Sequence, residues 1–441
     1  MGQVQGPAAA LGFTGLQDVL DASERYWNPG KTRFWVESGV PLVIDRREGY
    51  FLYDLAGKRL IDVHLNGGTY NLGHRNPEVL AALVEATAHF DIGNHHFPSM
   101  ARAALARELV RGAPEGLAKV IYASGGGEAI DIALKTARHA TGKRKIVSIV
   151  SIVSIVKAYH GHTGLAVGAG DERFSELFLA DRPEEFQHVP FNDLDAMDAA
   201  LRGRDVAAVI METIPATYGF PLPEPGYLEG VKALCERYDA LYIADEVQTG
   251  LMRTGELWAI SNHGIRPDIL VTGKGISGGM YPIAAVLVTD RAAGWLIEDG
   301  FGHMSTFGGA ELGCLVALKA LEICSRPQTR SMVHYSSAMI DSGLREIQVD
   351  QADWLVGIRQ NGLVIGLEFD HPEGAKFVMR QLYDRGVWAI FSTLDPRVLQ
   401  YKPGVLMTPE LTQELLLRTG DAIAAAGVQA RAASGPATRL R

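Results

Sequence analysis

One lysine in this chain stands where it could act as a nucleophile. Lys274 lies in Val271-Thr-Gly-Lys-Gly-Ile-Ser-Gly-Gly-Met280, between an apolar run over 268–272 and the glycines Gly275, Gly278 and Gly279. A strand that ends on a lysine with so little bulk beside it lets a ligand meet the amine closely. Such a lysine is either a surface cation or a Schiff-base nucleophile. Exposure is the commoner state of a lysine, so its company decides. Asp245 and Glu246 end a second apolar run, Leu241-Tyr-Ile-Ala-Asp-Glu-Val247. Carboxylates at the carboxyl ends of parallel strands stand where α/β sheets bind ligands. A buried aspartate needs a cationic partner. A protonated pyridine nitrogen is one, and holding that proton makes the ring an electron sink. Arg253 is another, close enough in sequence to pair with Asp245 or Glu246.

Two further stretches could serve the same ligand. Ser124-Gly125-Gly126-Gly127 falls between a strand pattern and a helix pattern. Free backbone N–H groups and the helix dipole make it a phosphate seat, and three glycines let an anion approach; the duller alternative is a flexible turn. In Ala158-Tyr-His-Gly-His-Thr163, Tyr159 could lie on a planar ring and His160 could support it. The His160–His162 spacing also suits a metal, but no cluster supplies a third ligand. An amine, an acid for a pyridinium, a phosphate seat and a stacking tyrosine together describe a pyridoxal phosphate site.

Positioning them requires a sheet. Asp245 and Lys274 are 29 positions apart, which suits one strand–helix–strand unit and places both at one sheet edge. From residue 100 onward, helix patterns at 100–112 and 128–141 alternate with strand patterns at 118–123, 146–156, 206–212, 241–247, 268–273 and 283–289. The alternation predicts a mostly parallel sheet covered on both faces. The helix after the glycines carries Ile130, Ala133, Leu134 and Ala137 on one face, at i, i+3, i+4, i+7. A short helix is expected over 17–27, a β-meander over 42–63, a glycine-rich loop over 66–74, and a helix opening at Pro77. A helix should run from Cys314 to about 324, with a smaller α+β layer beyond. The expected division is a segment 1–65 that joins 326–427 in a small domain, a large domain 66–325, and a tail 428–441 without periodicity. Ser-Ile-Val occurs three times in tandem over 148–156. The resulting apolar run exceeds the usual strand length, so either two copies are surplus or the strand is long and bulged.

Composition narrows the partners. The chain has 441 residues, 47% apolar, with net charge −9 and no long charge runs. That supports a sizeable core and argues against nucleic acid or an anionic membrane as partner. Cys235, Cys314 and Cys324 have neither paired nor metal-like spacing, and we expect reduced core thiols of a cytoplasmic protein. Neither a membrane-spanning run nor a signal peptide is expected.

The motifs resemble those of the class III, fold type I aminotransferases, the group of the ornithine, 4-aminobutyrate and ω-amino acid enzymes. The resemblance spans about 40–410 and rests on YDLAGKRLIDV, YNLGHRNPEV, YHGHTG, IADEVQTGLMRTGELWA, PDILVTGKGISGGMYPIAAV and STFGGAELGC. It implies an aspartate aminotransferase-like fold with a large, mostly parallel sheet domain and a small α+β domain. It implies a transferase that moves an amino group from an amine or amino acid donor to a carbonyl acceptor. Lys274 would carry pyridoxal 5′-phosphate as a Schiff base and then move a proton, and Asp245 would face the pyridine nitrogen. Tyr159, supported by His160, and Val247 would hold the ring faces, and Gln248 would approach the ring hydroxyl. Ser124, Gly125, Gly126 and Gly127 would line the phosphate, and Glu212 matches the family's glutamate. Thr306 would reach the phosphate of a neighbouring subunit, which implies a homodimer with shared sites.

Two departures stand out. The family's Ser-Gly-Thr phosphate loop is Gly125-Gly126-Gly127 here. One hydroxyl donor is missing, a loss of about 1.5–3 kcal/mol for which Ser124 could compensate. In Leu399-Gln-Tyr-Lys-Pro-Gly404, Gln400 occupies the position of the arginine that binds an α-carboxylate. A glutamine cannot form a charged fork with a carboxylate. Either Glu212 is freed to bind a second amine of a diamine, polyamine or amino sugar, or Lys402, Arg397 or another arginine takes the carboxylate. Tyr70, Trp35, Tyr218 and Phe307 are candidate pocket walls or core. The rival functions are a racemase, epimerase or decarboxylase on the same scaffold, and a phosphate- or nucleotide-binding protein without lysine chemistry.

Overall fold

The computed structural model describes residues 7–93, 96–150, 157–181 and 184–433. The chain opens with helices Leu16–Tyr26 and Pro29–Glu37 and an antiparallel meander of β1 (Ile44–Glu48), β2 (Phe51–Asp54) and β3 (Arg59–Asp62). Helix Pro77–Ala86 starts where the residue types demand. Asn76 caps it by accepting from the N–H groups of Glu78 and Val79, and Pro77 fills the first turn, where no donor is needed.

A seven-stranded sheet follows: β4 (Leu117–Ala123), β5 (Lys145–Val150), β6 (Phe186–Pro190), β7 (Val206–Glu212), β8 (Leu241–Asp245), β9 (Ile269–Thr272) and β10 (Ala284–Thr289). Its order is β4-β10-β9-β8-β7-β5-β6. β6, β5, β7, β8 and β9 run parallel, and β10 is antiparallel to β9 and β4. The central strands β7, β8 and β9 are buried at every residue, as continuous apolar runs covered on both faces must be. Period two sorts their side chains. Val209, Met211, Tyr242, Ala244 and Leu270 enter one core, and Ala208, Ile210, Leu241, Ile243 and Val271 enter another. The second core lies under helix Gly126–Thr141, which buries Ile130, Ala133, Leu134 and Ala137, the predicted stripe. Gly142, in the left-handed region, ends that helix.

Helices Glu311–Cys324 and Pro327–Asp350 lead to an antiparallel sheet of β11 (Leu355–Asn361), β12 (Val364–Phe369), β14 (Ile390–Ser392) and β15 (Asp395–Tyr401), in the order β11-β12-β15-β14. Between β12 and β14, β13 (Val387–Trp388) pairs in parallel with β3, Val387 opposite Ile61, so the two ends of the chain share a sheet.

Two details differ from expectation, and a third expectation falls partly outside the described residues. The crossover from β8 to β9 holds a 3₁₀ turn, Ala259–His263, not an α-helix. β5 ends at Val150; the rest of the Ser-Ile-Val repeat, 151–156, lies outside the described residues. The last helix runs from Pro409 to Ala433, past residue 427 where the disordered tail was expected to begin. Ala430 is buried and a β-carbon at Gly427 would lie 3.2 Å from the Trp354 ring, so tertiary packing holds turns that lack an apolar period. All three cysteines are buried and free. Among the described residues no helix is long and apolar enough to cross a membrane.

Candidate active site

Parallel pairing carries the acids to one edge. Glu212 ends β7 directly opposite Asp245 at the end of β8, and Asp245 lies opposite Val271 on β9. Lys274 follows two residues after β9, with φ +44°, a left-handed conformation that costs a residue with a β-carbon about 1–2 kcal/mol. Strain of this kind persists where the surroundings impose it. Here the surroundings are a loop in which Leu65, Asn66, Gly67 and Gly68 all have positive φ. A β-carbon at Gly67 would lie 3.0 Å from Gln248 Oε1 and 3.1 Å from Lys274 Cε, and one at Gly68 would lie 2.9 Å from Arg253 Nη2. The loop therefore lies directly on the lysine. Its glycine pair is visible in the sequence, but its contact with Lys274 is not.

The side chains fit a charged, phosphorylated pyridine. Burial, the largest influence, and the nearby Arg253 lower the Lys274 ammonium from its usual range, against attraction from Asp245 and Glu212. That favours the nucleophilic amine. Lys274 Nζ lies 3.4 Å from Gln248 Oε1, while Gln248 Nε2 is buried without a partner among the described residues. Asp245 is buried; its Oδ2 lies 2.7 Å from His160 Nδ1 and its Oδ1 accepts from Val247 N at 3.0 Å. Tyr159 is half-buried, and its hydroxyl is raised by burial, then by the charges of Glu212 and Asp245. Across the site, Val247 Cγ1 is 3.4 Å from a β-carbon position at Gly126 and 3.3 Å from one at Gly273.

The glycine run falls where β4 gives way to a helix, with Gly125 as N-cap and Gly126 the first helical residue. A β-carbon at Gly127 would lie 2.7 Å from Thr163 Oγ1, and one at Gly161 would lie 2.8 Å from Gly127 Cα. Bare glycines let these segments converge, and the Thr163 hydroxyl stands where a threonine at 127 would begin. Ser124 is engaged otherwise: its N–H and hydroxyl both donate to Glu128 Oε2, at 2.8 and 2.5 Å. An amine, an acid, an orphaned amide and a glycine cradle thus suit pyridoxal phosphate in amine, ring and phosphate alike.

The comparisons with known proteins agree. The "Aminotransferase class-III" family matches residues 35–423. This chain belongs to the class III aminotransferases. An aminotransferase of Archaeoglobus fulgidus, itself uncharacterized, is 41% identical over 400 residues, 90% of this chain and 92% of that one. The crystal structure of ornithine aminotransferase from Toxoplasma gondii superposes with TM-score 0.87 at 26% identity, covering 97% of this chain and 100% of that one. N-acetylornithine aminotransferase from Stenotrophomonas maltophilia gives TM-score 0.75 at 27% identity, over 88% and 97% of the two chains. The chain has the fold type I architecture, is a pyridoxal-phosphate-dependent enzyme and transfers amino groups.

The remaining predicted residues of this aminotransferase divide by location. Glu212 is buried, accepting from Tyr159 N at 3.2 Å and Ala216 N at 3.0 Å. Arg253 pairs with neither acid: it donates to Asn71 Oδ1 at 2.8 Å and to the Pro403 carbonyl. Glu246 instead accepts from Thr213, Thr249 and the N–H groups of Ala259 and Ile260, and so braces the crossover. His160 and His162 do not converge: His160 is buried on Asp245, whereas His162 packs at 5.2 Å from the Tyr159 ring. Arg397 is ion-paired with Glu368 at 2.6 Å. Gln400 and Lys402 are both buried, with Lys402 Nζ 2.5 Å from Gln400 Oε1. Trp35 and Tyr70 line a cavity of about 360 Å³ with His64, Asn66 and Trp388, whereas Phe307 is exposed. Tyr218 lies under Lys157, 4.5 Å from its ammonium. Thr306 is exposed, next to Ser305, which hydrogen-bonds Glu128 beside the phosphate seat. Sequence reading missed His64; the run Val63-His-Leu-Asn66 gave no sign that its histidine would line the cavity.

Proposed function

We propose that this aminotransferase works through Lys274 as the cofactor-bearing and proton-moving residue, with Asp245 as the counter-charge for the pyridine nitrogen. Bound pyridoxal phosphate supplies an electron sink for negative charge developing at the substrate carbon. Lys274 Nζ, lowered in basicity by burial, would take the proton from that carbon and pass it to the cofactor rather than back to the substrate carbon. Asp245, held by His160 and the Val247 N–H, keeps a negative charge fixed where the ring nitrogen is positive. Gln248 Nε2 would donate to the ring hydroxyl, and Tyr159 and Val247 would hold the two ring faces. The N–H groups of Gly126 and Gly127 would hold the phosphate at the helix N-terminus. Donor and acceptor are a small amine and a small carbonyl compound. The observation that carries this reading is the meeting of Lys274 and Asp245 at one sheet edge beneath the Gly67–Gly68 loop.

We further infer a homodimer in the cytoplasm. Phe301, Met304 and Phe307 are exposed in the segment that carries Thr306, and Ile92, Phe97 and Met100 are exposed in a second segment; an apolar face of this kind marks an interaction surface. The His96 and Phe301 rings, 5.7 Å apart, join the two segments. A partner on this face would bring Thr306 to a phosphate. The three buried free thiols accord with a reducing compartment.

Borohydride reduction of the holoenzyme followed by peptide mass mapping tests the central assignment. The cofactor mass should appear on the Lys274 peptide, and Lys274→Ala should lose turnover by about 10³-fold or more. A cofactor fixed on another lysine, or full activity in the variant, would refute it.

A further inference from the structure

We propose that Lys402 receives a carboxylate of the substrate, so that the enzyme acts on carboxylate-bearing substrates although Gln400 holds the family's arginine position. The proposal rests on Lys274 being the cofactor-bearing lysine. Strand geometry aims the group. Along β15, Tyr401 points to one side, where its hydroxyl meets Thr419 Oγ1 at 3.0 Å. Val398, Gln400 and Lys402 alternate to the other side. There Val398 Cβ lies 2.9 Å from a β-carbon position at Gly219, and Lys402 Nζ lies 5.5 Å from the Phe220 ring centroid. The Lys402 N–H donates to the Val63 carbonyl at 2.7 Å. This bond holds the Lys402 backbone against Val63, and its charge acts on the neighbouring His64, which lines the 360 Å³ cavity with Trp35, Tyr70 and Trp388 while Lys402 itself is buried behind that lining.

A fully buried lysine normally has a carboxylate partner. Among the described residues Lys402 has none; its side-chain partner is the neutral Gln400 amide. The acid nearest in charge, Asp62, is engaged by His74 Nε2 at 2.9 Å and by the N–H groups of His64 and Leu65. Arg253 and Lys274 add positive charge around Lys402, and among the described residues His64 Nδ1 is buried without a partner. Asp62 opposes that charge from a distance, but no carboxylate among the described residues bonds the Lys402 ammonium. Burial, the largest influence, with Arg253 and Lys274, holds the Lys402 ammonium well below its ordinary range. An arriving carboxylate would reverse that balance by favouring the protonated amine.

The other receivers considered from sequence are occupied. Arg397 is paired with Glu368, and Arg253 is held by Asn71 and the Pro403 carbonyl. Both oxygens of Glu212 already accept backbone N–H groups, which leaves that acid poorly placed to select a second amine.

The test is equilibrium binding of glutarate, an unreactive dicarboxylate, to the holoenzyme by calorimetry, with 1,5-diaminopentane as the opposing probe. Wild-type enzyme should bind glutarate more tightly than the diamine. Lys402→Met should weaken glutarate by about tenfold or more at unchanged cofactor content, and Lys402→Arg should restore most of it. An unchanged glutarate Kd in the methionine variant overturns the proposal. So does a wild-type preference for the diamine, which needs no variant to fold. Failure of the underlying reading shows separately, as cofactor mass absent from Lys274 after borohydride.

Discussion

Asp245 and Glu212 sit side by side at the ends of adjacent strands, yet their surroundings assign them different work. Asp245 has a histidine at 2.7 Å and the Val247 N–H at 3.0 Å, which fix its carboxylate in place. Asp245→Asn should retain bound cofactor but lower kcat by about 10²-fold or more, because a preorganised charge is lost where charge develops; a kcat within threefold of wild type would contradict the role. Glu212 has only backbone donors of its own. Burial, the largest cause, and then Asp245 raise it from 4.5 to about 7, against His160 and two N–H bonds. The folded value lies above the unfolded one, so Glu212 favours the folded state most below about pH 4.5 and loses that contribution as pH rises through 7. Comparing cofactor-free Glu212→Gln with wild type, the difference in unfolding free energy should move towards the variant by up to about 3 kcal/mol between pH 4.5 and 8. A pH-independent difference would rule this out.

Among the elements, the phosphate seat and the Leu65–Gly68 loop show how missing side chains bring segments together. Gly127 has no room for a β-carbon, because Thr163 Oγ1 occupies the space. Gly127→Ala should therefore push Thr163 away from the helix N-terminus and weaken pyridoxal phosphate binding by about tenfold, read by titrating the cofactor-free enzyme. Unchanged affinity would show that the hydroxyl and the loop can part without consequence. The Gly67–Gly68 pair acts alike on the lysine side: its positive φ values and its lack of side chains let backbone rest on Lys274 and Arg253. The β8–β9 crossover depends on Glu246, whose four hydrogen bonds satisfy a buried acid without any cation.

For the whole molecule, the pairing of β3 with β13 ties the first sixty residues to the C-terminal region. Nearby, the Lys402 N–H bonds the Val63 carbonyl, so Lys402 is buried next to the segment whose His64 lines the cavity. The exposed apolar face around Thr306 carries the remaining prediction. Sedimentation equilibrium should give twice the 47.7 kDa chain mass, and Phe301→Asp should shift the enzyme towards monomer with loss of cofactor. A wild-type monomer that retains full activity would exclude shared sites.

The sequence by itself determined the parts governed by local pattern. The buried stripe of helix Gly126–Thr141, the apolar runs of β7 to β9, and Asp245 and Lys274 at their ends follow from periodicity and residue type, because such runs can be buried only inside a covered sheet. The motifs were dense enough to place the chain in its family. Only the tertiary structure decided which charges meet. Nothing in sequence separation shows that Arg253 turns to Asn71, that Ser124 is engaged by Glu128, or that Arg397 is paired with Glu368 while Lys402 is left with an amide. Such pairing depends on distances of a few ångströms, between near neighbours such as Ser124 and Glu128 as much as between Arg253 and the remote Asn71, and those distances exist only after the strands have packed.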